Sequence, residues 1–175
     1  MMSLEINLPP TAPVGLWRRF TAAYAQFLSI VLSLAVGLLI IPVSLQIFSR
    51  YTDLIPSYIW TEEMARFLFV WMIMIGAMVG IREGSHFEVD VWPRLGARGG
   101  AALKLVSGVC VLVFALVFLW WGIEFTRFAL KRISELAELP LWMIHVAWPL
   151  AGATWLLFLG EQMLDNLRIL FGRPA

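Results

Sequence analysis

Long stretches without a charged residue alternate with short charged segments along this chain. The uncharged runs contain 30, 15, 19 and 22 residues and begin after Arg19, Arg66, Lys104 and Glu138. A helix needs about 20 apolar residues to cross a bilayer, so the first, third and fourth runs are long enough alone. The second run is long enough only if its helix begins near Trp60 and carries charged residues in its opening turns. The pattern predicts four transmembrane helices, near 22–48, 60–82, 104–123 and 139–161.

These helices would form one membrane domain over residues 22–161. Residues 1–21 contain three prolines without periodicity and predict a loose tail with an interfacial lead-in, while residues 162–175 would form a cytoplasmic tail. The first apolar run is far longer than a signal-peptide core and no small-residue cleavage site follows it, which argues against a cleaved leader. No internal repeat of the kind found in inverted-repeat transporters is visible.

The composition agrees with a membrane protein and excludes other classes. Of the 175 residues, 61% are hydrophobic and 14% are charged, against about 45–50% and about 25% in soluble domains. A net charge of +1 gives no basic field to bind nucleic acid. One cysteine and two histidines leave too few ligands for a zinc, haem or iron–sulfur centre, so we expect no cofactor. The Walker, GxSxG and HExxH motifs are absent, so nothing indicates an enzyme.

Lysines and arginines indicate the orientation. With the N-terminus inside, eight lie on the cytoplasmic side and five on the other, so the positive-inside rule predicts that both termini are cytoplasmic. Six tryptophans fall near the predicted span ends, where an aromatic belt contacts membrane lipids. They are Trp17, Trp60, Trp92, Trp120, Trp121 and Trp142.

A charged stripe follows the third span. Its members are Glu124, Arg127, Lys131, Glu135 and Glu138, spaced 3, 4, 4 and 3 residues apart, with Arg132 beside them. This spacing predicts an amphipathic helical extension, ended by Pro140. The helix could continue from Lys104 to Leu139, about 54 Å, or bend onto the membrane surface. The stripe is either a solvated face or a docking face for a soluble partner.

Three charged residues mark the start of the second span. Glu62 and Glu63 precede Arg66 by four and three residues, so both carboxylates can meet the guanidinium on one helix face. One interpretation is a solvated ion pair at a helix start. The other is a buried or partner-facing cluster at membrane depth. We favour burial of at least one carboxylate.

Small residues and histidines are the other candidates. Gly76, Gly80 and Gly84 form overlapping GxxxG patterns, which suit either internal helix packing or a partner interface. His86 lies in a loop with Asp90, but their spacing is not typical of a metal site. His145 lies inside the fourth span, where a hydrogen-bonded packing role is favoured over proton relay. The small residues Ala147 and Ala151 offer a similar close-packing face on that span.

The chain also lacks the features of a carrier that works alone. Transporter sites usually contain intramembrane charges or broken helices at mid-depth, and the first span is free of charge over 30 residues. By elimination, the chain looks like an accessory subunit. The alternatives are a stand-alone small carrier and an assembly factor of another complex.

One block carries a family resemblance. It comprises Trp60, Glu62, Glu63, Arg66, Phe67, Trp71, Gly76, Ala77, Arg82, His86, Val89 and Asp90. In this order the block resembles the small membrane subunit of tripartite ATP-independent periplasmic (TRAP) transporters, as do Pro140-Leu141-Trp142 and Pro149. His145 departs from the family pattern, in which an aromatic residue is expected, so no family role is carried over to it.

The resemblance implies a small permease subunit in the bacterial inner membrane. A large multi-span subunit would carry the substrate and sodium sites, and a periplasmic binding protein would deliver an organic acid of the dicarboxylate or sialic-acid class. The small subunit would act as a scaffold and help the binding protein dock. The charged stripe, with Arg132, would then be the docking face. The residues that would be structural or face the large subunit are Trp60, Glu62, Glu63, Arg66, Trp71, Gly76, Gly80, Arg82, Gly84, His86 and Asp90.

Overall fold

A computed structural model describes residues 15–52, 59–83, 97–135 and 137–171 of the chain. The helices are α1 (Leu16–Tyr51), α2 (Ile59–Glu83), α3 (Ala97–Ala129), α4 (Trp142–His145) and α5 (Ala147–Phe171). The helices α1, α2 and α3, and α4 together with α5, are each long and apolar enough to cross a membrane. The predicted all-α fold with four spans is therefore confirmed.

The first helix is longer than its predicted span. It begins at Leu16, so residues 16–21 of the predicted lead-in are helical, and Thr21 is fully buried. Pro42 lies inside the helix. The 36 residues of α1 would extend over about 54 Å, against about 30 Å of hydrocarbon. At least one end of α1 must therefore lie outside the hydrocarbon or the helix must tilt.

The predicted extension of the third span is confirmed only as far as Ala129. Hydrogen bonds from Leu130 N to Arg127 O and from Arg132 N to Ala129 O, at 3.3 and 3.1 Å, close tight turns in place of further helical turns. A continuous helix to residue 139 is therefore wrong. Glu124 and Arg127 lie on α3, whereas the other members of the stripe do not.

The segment that follows folds back as a short loop, which we call the 130–141 loop. Ser134 N donates to Leu139 O at 2.8 Å, and Leu141 N donates to Arg132 O at 3.0 Å. Pro140 has no N–H to donate to a helix and disfavours the helical conformation in the residue before it. Glu138 also has a positive φ of 53°, which a continuing right-handed helix does not allow. These features explain why the 3-4-4-3 spacing does not form a helix.

The fourth span is divided by one non-helical residue. Val146 separates α4 from α5, and α5 then continues to Phe171, ten residues beyond the predicted end of the span at 161. Side chains in this added part are paired with other helices, since Gln162 Nε2 donates to Ile81 O at 2.7 Å. The predicted C-terminal tail therefore begins as a packed helix.

The helices pack mainly in the order α1, α2, α5, α3, with α2 and α5 in the middle. We compare the buried fraction of residues in the most apolar stretch of each span. It is 39% in α2 and in the fourth span, and 11% in α1 and in α3. Met78 of α2 and Phe158 of α5 are fully buried at the centre of the core. The two flanking helices therefore leave most of their apolar surface uncovered.

The helices α3 and α5 approach each other closely at two glycines. A Cβ added to Gly152 would lie 2.6 Å from Leu119 N, and one added to Gly122 would lie 2.7 Å from Pro149 N. Ala147 and Ala151 are fully buried, in agreement with the expected small face of the fourth span. Small residues of this kind allow backbones to approach closely in lipid.

The GxxxG pattern of α2 contributes to internal packing. A Cβ on Gly76 would lie 3.9 Å from Leu32 of α1, an ordinary contact distance, and Gly80 is buried. Gly84 lies outside the described residues. The two described glycines therefore favour the internal-packing alternative.

Candidate functional site

The start of α2 anchors the 130–141 loop through one carboxylate. Thr61 and Glu63 are both buried at the first turns of α2. Glu63 Oε2 accepts a hydrogen bond from Ala137 N at 2.5 Å. Hydrogen bonds from a backbone N–H to a charged acceptor are among the stronger ones in proteins. Glu63 therefore fixes the loop to α2. The sequence indicated this residue as a candidate, but as a partner of Arg66.

The other two charges at the start of α2 form a solvated pair. Arg66 Nη2 lies 3.5 Å from Glu62 Oε1, and the two side chains are 61% and 67% exposed, respectively. The predicted i,i+4 pair is thus present, and burial of at least one carboxylate is confirmed by Glu63. Glu62 therefore fits the interpretation as a solvated ion pair, and Glu63 fits the interpretation as a buried charge.

This division predicts different effects for two alanine substitutions. Glu63→Ala removes the acceptor of the Ala137 N–H, and we expect it to lower the free energy of unfolding by about 1.5–3 kcal/mol. Arg66→Ala removes only an exposed pair, and we expect a change of about 0–1 kcal/mol. Thermal unfolding of the detergent-solubilised chain measures both. Equal losses of melting temperature in the two variants would contradict the division.

One cavity lies between the start of α2 and the 130–141 loop, and another lies between α3 and Trp148 of α5. A polar cavity of about 480 Å³ is lined by Glu63, Arg66, Arg132, Ile133, Ser134, Glu135 and Leu141. An apolar groove of about 630 Å³ is lined by Val117, Phe118, Trp121, Gly122, Glu124, Phe125, Phe128 and Trp148. Ser134 is 4% exposed, and its Oγ has no hydrogen-bond partner among the described residues.

The charged stripe is exposed at this same end of the molecule. Arg127 Nη1 pairs with Glu124 Oε1 at 2.9 Å on α3, and both side chains are more than half exposed. The Arg132 guanidinium lies 4.0 Å from the centre of the Phe128 ring, a cation–π geometry. The remaining charges are in the loop and exposed: Lys131, Glu135 and Glu138. The stripe is therefore one charged surface shared by a helix end and a loop.

Two further candidates join α4 to its neighbours. Trp71 Nε1 of α2 donates to Met143 O at 3.0 Å. His145 Nδ1 lies 2.6 Å from Leu141 O, and its ring is 4.1 Å from that of Phe125 in an edge-on contact. The expected hydrogen-bonded packing role of His145 is confirmed. Trp60 is 46% exposed near the start of α2.

The opposite end holds an ion-pair network that the sequence did not reveal. Arg82 of α2 pairs with Glu161 Oε2 at 2.5 Å, and Thr21 Oγ1 of α1 donates to the same oxygen at 2.8 Å. Arg18 Nε lies 3.8 Å from Glu161 Oε1, and Arg18 Nη2 reaches Asp165 at 2.5 Å. The Glu161 side chain is only 11% exposed. The sequence indicated Arg82 as a candidate residue. Glu161 had a role there only as the charged residue that ends the fourth uncharged run.

No group of three His, Cys, Asp or Glu residues that could hold a metal ion occurs within the described parts of the chain. His86 and Asp90, which the sequence placed near each other, lie outside the described residues. They remain candidates for a structural role or for the interface with the large subunit, on sequence alone.

Comparison with known proteins adds the identity of the family. The family described as "Tripartite ATP-independent periplasmic transporters, DctQ component" matches residues 39–169. The sialic acid TRAP transporter small permease protein SiaQ of Vibrio cholerae is 28% identical over 131 residues, which cover 73% of each chain.

Two other relatives are matched over a smaller part of their length. The C4-dicarboxylate TRAP transporter small permease protein DctQ of Rhodobacter capsulatus is 30% identical over 60% of this chain and 48% of its own. The isethionate TRAP transporter permease protein DctMQ of Oleidesulfovibrio alaskensis is 28% identical over 63% of this chain and 18% of its own. The family match spans most of the chain, from the C-terminal part of α1 to near the end of α5. The chain therefore belongs to the DctQ component family of tripartite ATP-independent periplasmic transporters and is a multi-pass inner-membrane transport subunit, not an enzyme.

Proposed function

We propose that this chain is the small permease subunit that scaffolds the large membrane subunit of a TRAP transporter. In this proposal it also helps a periplasmic binding protein dock, so that the complex takes up an organic acid with sodium. The observation that carries the scaffold role is the uncovered apolar surface of the two flanking helices, α1 and α3. Exposed positions include Leu34, Leu38, Ile41 and Phe48 of α1, and Val106, Val113, Phe114 and Trp120 of α3.

Membrane helices associate by packing and hydrogen bonding, since lipid is as apolar as the helices themselves. Two outer helices with largely uncovered apolar surfaces offer a large area for such packing. The relative named DctMQ supports a large membrane partner, because its name joins two components and the matched part is 18% of its length. A small component linked to a larger one in a single polypeptide would produce this proportion.

The placement of charge supports an accessory role instead of a carrier role. Among the described residues of the spans, the charged side chains lie towards the helix ends, and α1 has none between Arg19 and Arg50. Ionisable groups at mid-depth are the usual marks of substrate and ion pathways. We therefore expect the substrate and sodium sites on the large subunit. The names of the relatives favour an organic anion, since they are named for C4-dicarboxylate, sialic acid and isethionate.

Reconstitution into liposomes tests the scaffold proposal. With an inward sodium gradient, we expect the complete system to take up a radiolabelled organic acid, and this chain alone to give no more uptake than empty vesicles. Succinate, sialic acid and isethionate should each be tested, because the relatives differ in the substrate for which they are named. Uptake by the isolated chain would instead favour a stand-alone carrier.

The docking role is tested in the same liposomes with a charge reversal. Lys131→Glu changes the exposed surface of the 130–141 loop and touches no span, so we expect a higher half-saturating concentration of binding protein, most clearly at low salt. Lys104→Glu is the matched control, because Lys104 is an exposed lysine towards the other end of α3. An unchanged half-saturating concentration in Lys131→Glu would remove this loop from the docking surface.

A further inference from the structure

The described residues of the 130–141 loop close as a hairpin through two backbone hydrogen bonds. One runs from Ser134 N to Leu139 O and the other from Leu141 N to Arg132 O. A hairpin of two short strands is at best marginally stable in water by itself. The shape of this loop therefore depends on its contacts with the neighbouring helices.

The tip of the hairpin has a backbone conformation that needs such support. Glu138 has a φ of 53°, in the left-handed region that residues other than glycine seldom adopt. A conformation of this kind persists where the surrounding structure fixes it. The preceding residue, Ala137, donates its N–H to Glu63 Oε2 at 2.5 Å. The bond from α2 therefore holds the chain directly beside the residue with the unusual backbone.

A second side chain of α2 holds the segment that follows the loop. Trp71 Nε1 donates to Met143 O at 3.0 Å. Glu63 and Trp71 are eight residues apart in the sequence, which is about 12 Å along a helix. The helix α2 thus contacts the chain on both sides of Pro140, at the tip of the hairpin and beyond its end. Burial of Glu63 strengthens the contact at the tip, because hydrogen bonds are stronger away from water.

We propose that Glu63 is a positioning residue for docking, because it holds the 130–141 loop in the shape that presents its charges to the binding protein. This inference rests on the docking role proposed above. The Glu63 side chain is buried, whereas Lys131, Glu135 and Glu138 of the loop are exposed. Without the bond to Glu63, these charges would lose their fixed arrangement, and docking would have to order the loop at a cost in affinity.

Hydrogen exchange of the Ala137 amide in the full-length, detergent-solubilised chain tests the bond itself. Glu63→Met keeps the length of the side chain and removes the acceptor, so we expect this amide to exchange at least about tenfold faster. Glu63→Gln keeps a carbonyl oxygen as an acceptor and should restore much of the protection. Glu62→Met is the matched control, because Glu62 is adjacent and 67% exposed, and it should leave the exchange of Ala137 unchanged.

Uptake of a radiolabelled organic acid tests the consequence for docking, in liposomes that contain the large subunit and are supplied with the binding protein. We expect Glu63→Met to raise the half-saturating concentration of binding protein several-fold and to leave the maximal uptake rate near that of the parent chain. Glu63→Gln should return towards the parent value. A purely structural role would instead lower the maximal rate, through loss of assembled complex. If Glu63→Met does not fold, Glu63→Asp replaces it, since it keeps the charge but shortens the side chain by one methylene.

The outcomes that would overturn this proposal also separate it from the docking role. Unchanged exchange of Ala137 in Glu63→Met, or equally fast exchange in Gly152→Ala, which disturbs only the distant α3–α5 contact, would show that Glu63 does not hold the loop specifically. An unchanged half-saturating concentration in Glu63→Met, where Lys131→Glu raises it, would show that docking does not depend on Glu63. If neither variant changes it, the docking role is wrong and the link from Glu63 to docking is wrong with it, whatever the exchange of Ala137.

Discussion

Glu161→Ala is expected to lower the free energy of unfolding by about 3–5 kcal/mol, because it leaves a partly buried arginine without its carboxylate. Arg82 is 24% exposed and Glu161 is 11% exposed in the pair. The Arg82 guanidinium also lies over the Phe158 ring, 5.6 Å from its centre, so it cannot turn to water without losing this contact. Thr21 Oγ1 would lose its bond to Glu161 in the same substitution and keep only the Arg18 carbonyl oxygen, at 3.2 Å, as an acceptor.

Thermal unfolding of the detergent-solubilised chain measures this loss against a matched carboxylate. Asp165→Asn acts on the neighbouring pair with Arg18, whose side chains are 40% and 49% exposed, and we expect a change of only about 0–1 kcal/mol. Similar melting temperatures for Glu161→Ala and Asp165→Asn would show that the network is solvated.

This network matters for the proposed scaffold because it joins three helices at one point. The start of α1 is attached to α5 through Thr21 and Arg18, and α2 is attached through Arg82. Higher in the bundle, Tyr24 Oη lies 2.9 Å from Thr154 Oγ1 and continues the connection between α1 and α5. Loss of the network would free a flanking helix whose other main contact is α2. The surface offered to a partner would then lose its fixed shape.

The sequence was sufficient for the spans, because the uncharged runs and the bilayer thickness together determine them. It was insufficient at the helix ends, because contacts between residues far apart in the sequence determine where a helix stops. Residues 162–171 stay helical while Gln162 bonds to α2 and Asp165 pairs with α1. Those partners are 81 and 147 positions away, so the periodicity of the local sequence cannot predict these contacts.

The candidate site shows the same limit. Burial of at least one of the two glutamates was predicted correctly, but helix spacing did not indicate which one. The bond of Glu63 to Ala137 spans 74 positions, so local spacing could not predict it either. The charged stripe fits a helix by spacing alone, and only Pro140 in the sequence indicated an end to it. Ser134 carried no signal, because a serine in a polar loop is ordinary until its hydroxyl is found buried. The interface roles proposed for the second-span residues stay predictions.

The α3–α5 contact provides the second large effect. Gly152→Ala places a Cβ 2.6 Å from Leu119 N and 2.8 Å from Ala115 O. Both obstacles are backbone atoms, so no side-chain rotation can relieve the clash, and the two helices must separate. We expect a loss of at least about 1–3 kcal/mol, the usual cost of overpacking a well-packed core.

Gly160→Ala is the matched control, because this glycine is also in α5 but has no atom within 4 Å of an added Cβ. It should leave the melting temperature unchanged or raise it slightly, since alanine favours helix more than glycine does by about 1 kcal/mol. Disulfide cross-linking between cysteines placed on α3 and α5 would report the separation directly, with Cys110 replaced beforehand. Close packing through glycine predicts slower cross-linking in Gly152→Ala alone. If both variants cross-link and melt like the parent chain, α3 and α5 are not held together by the small-residue contact at Gly152.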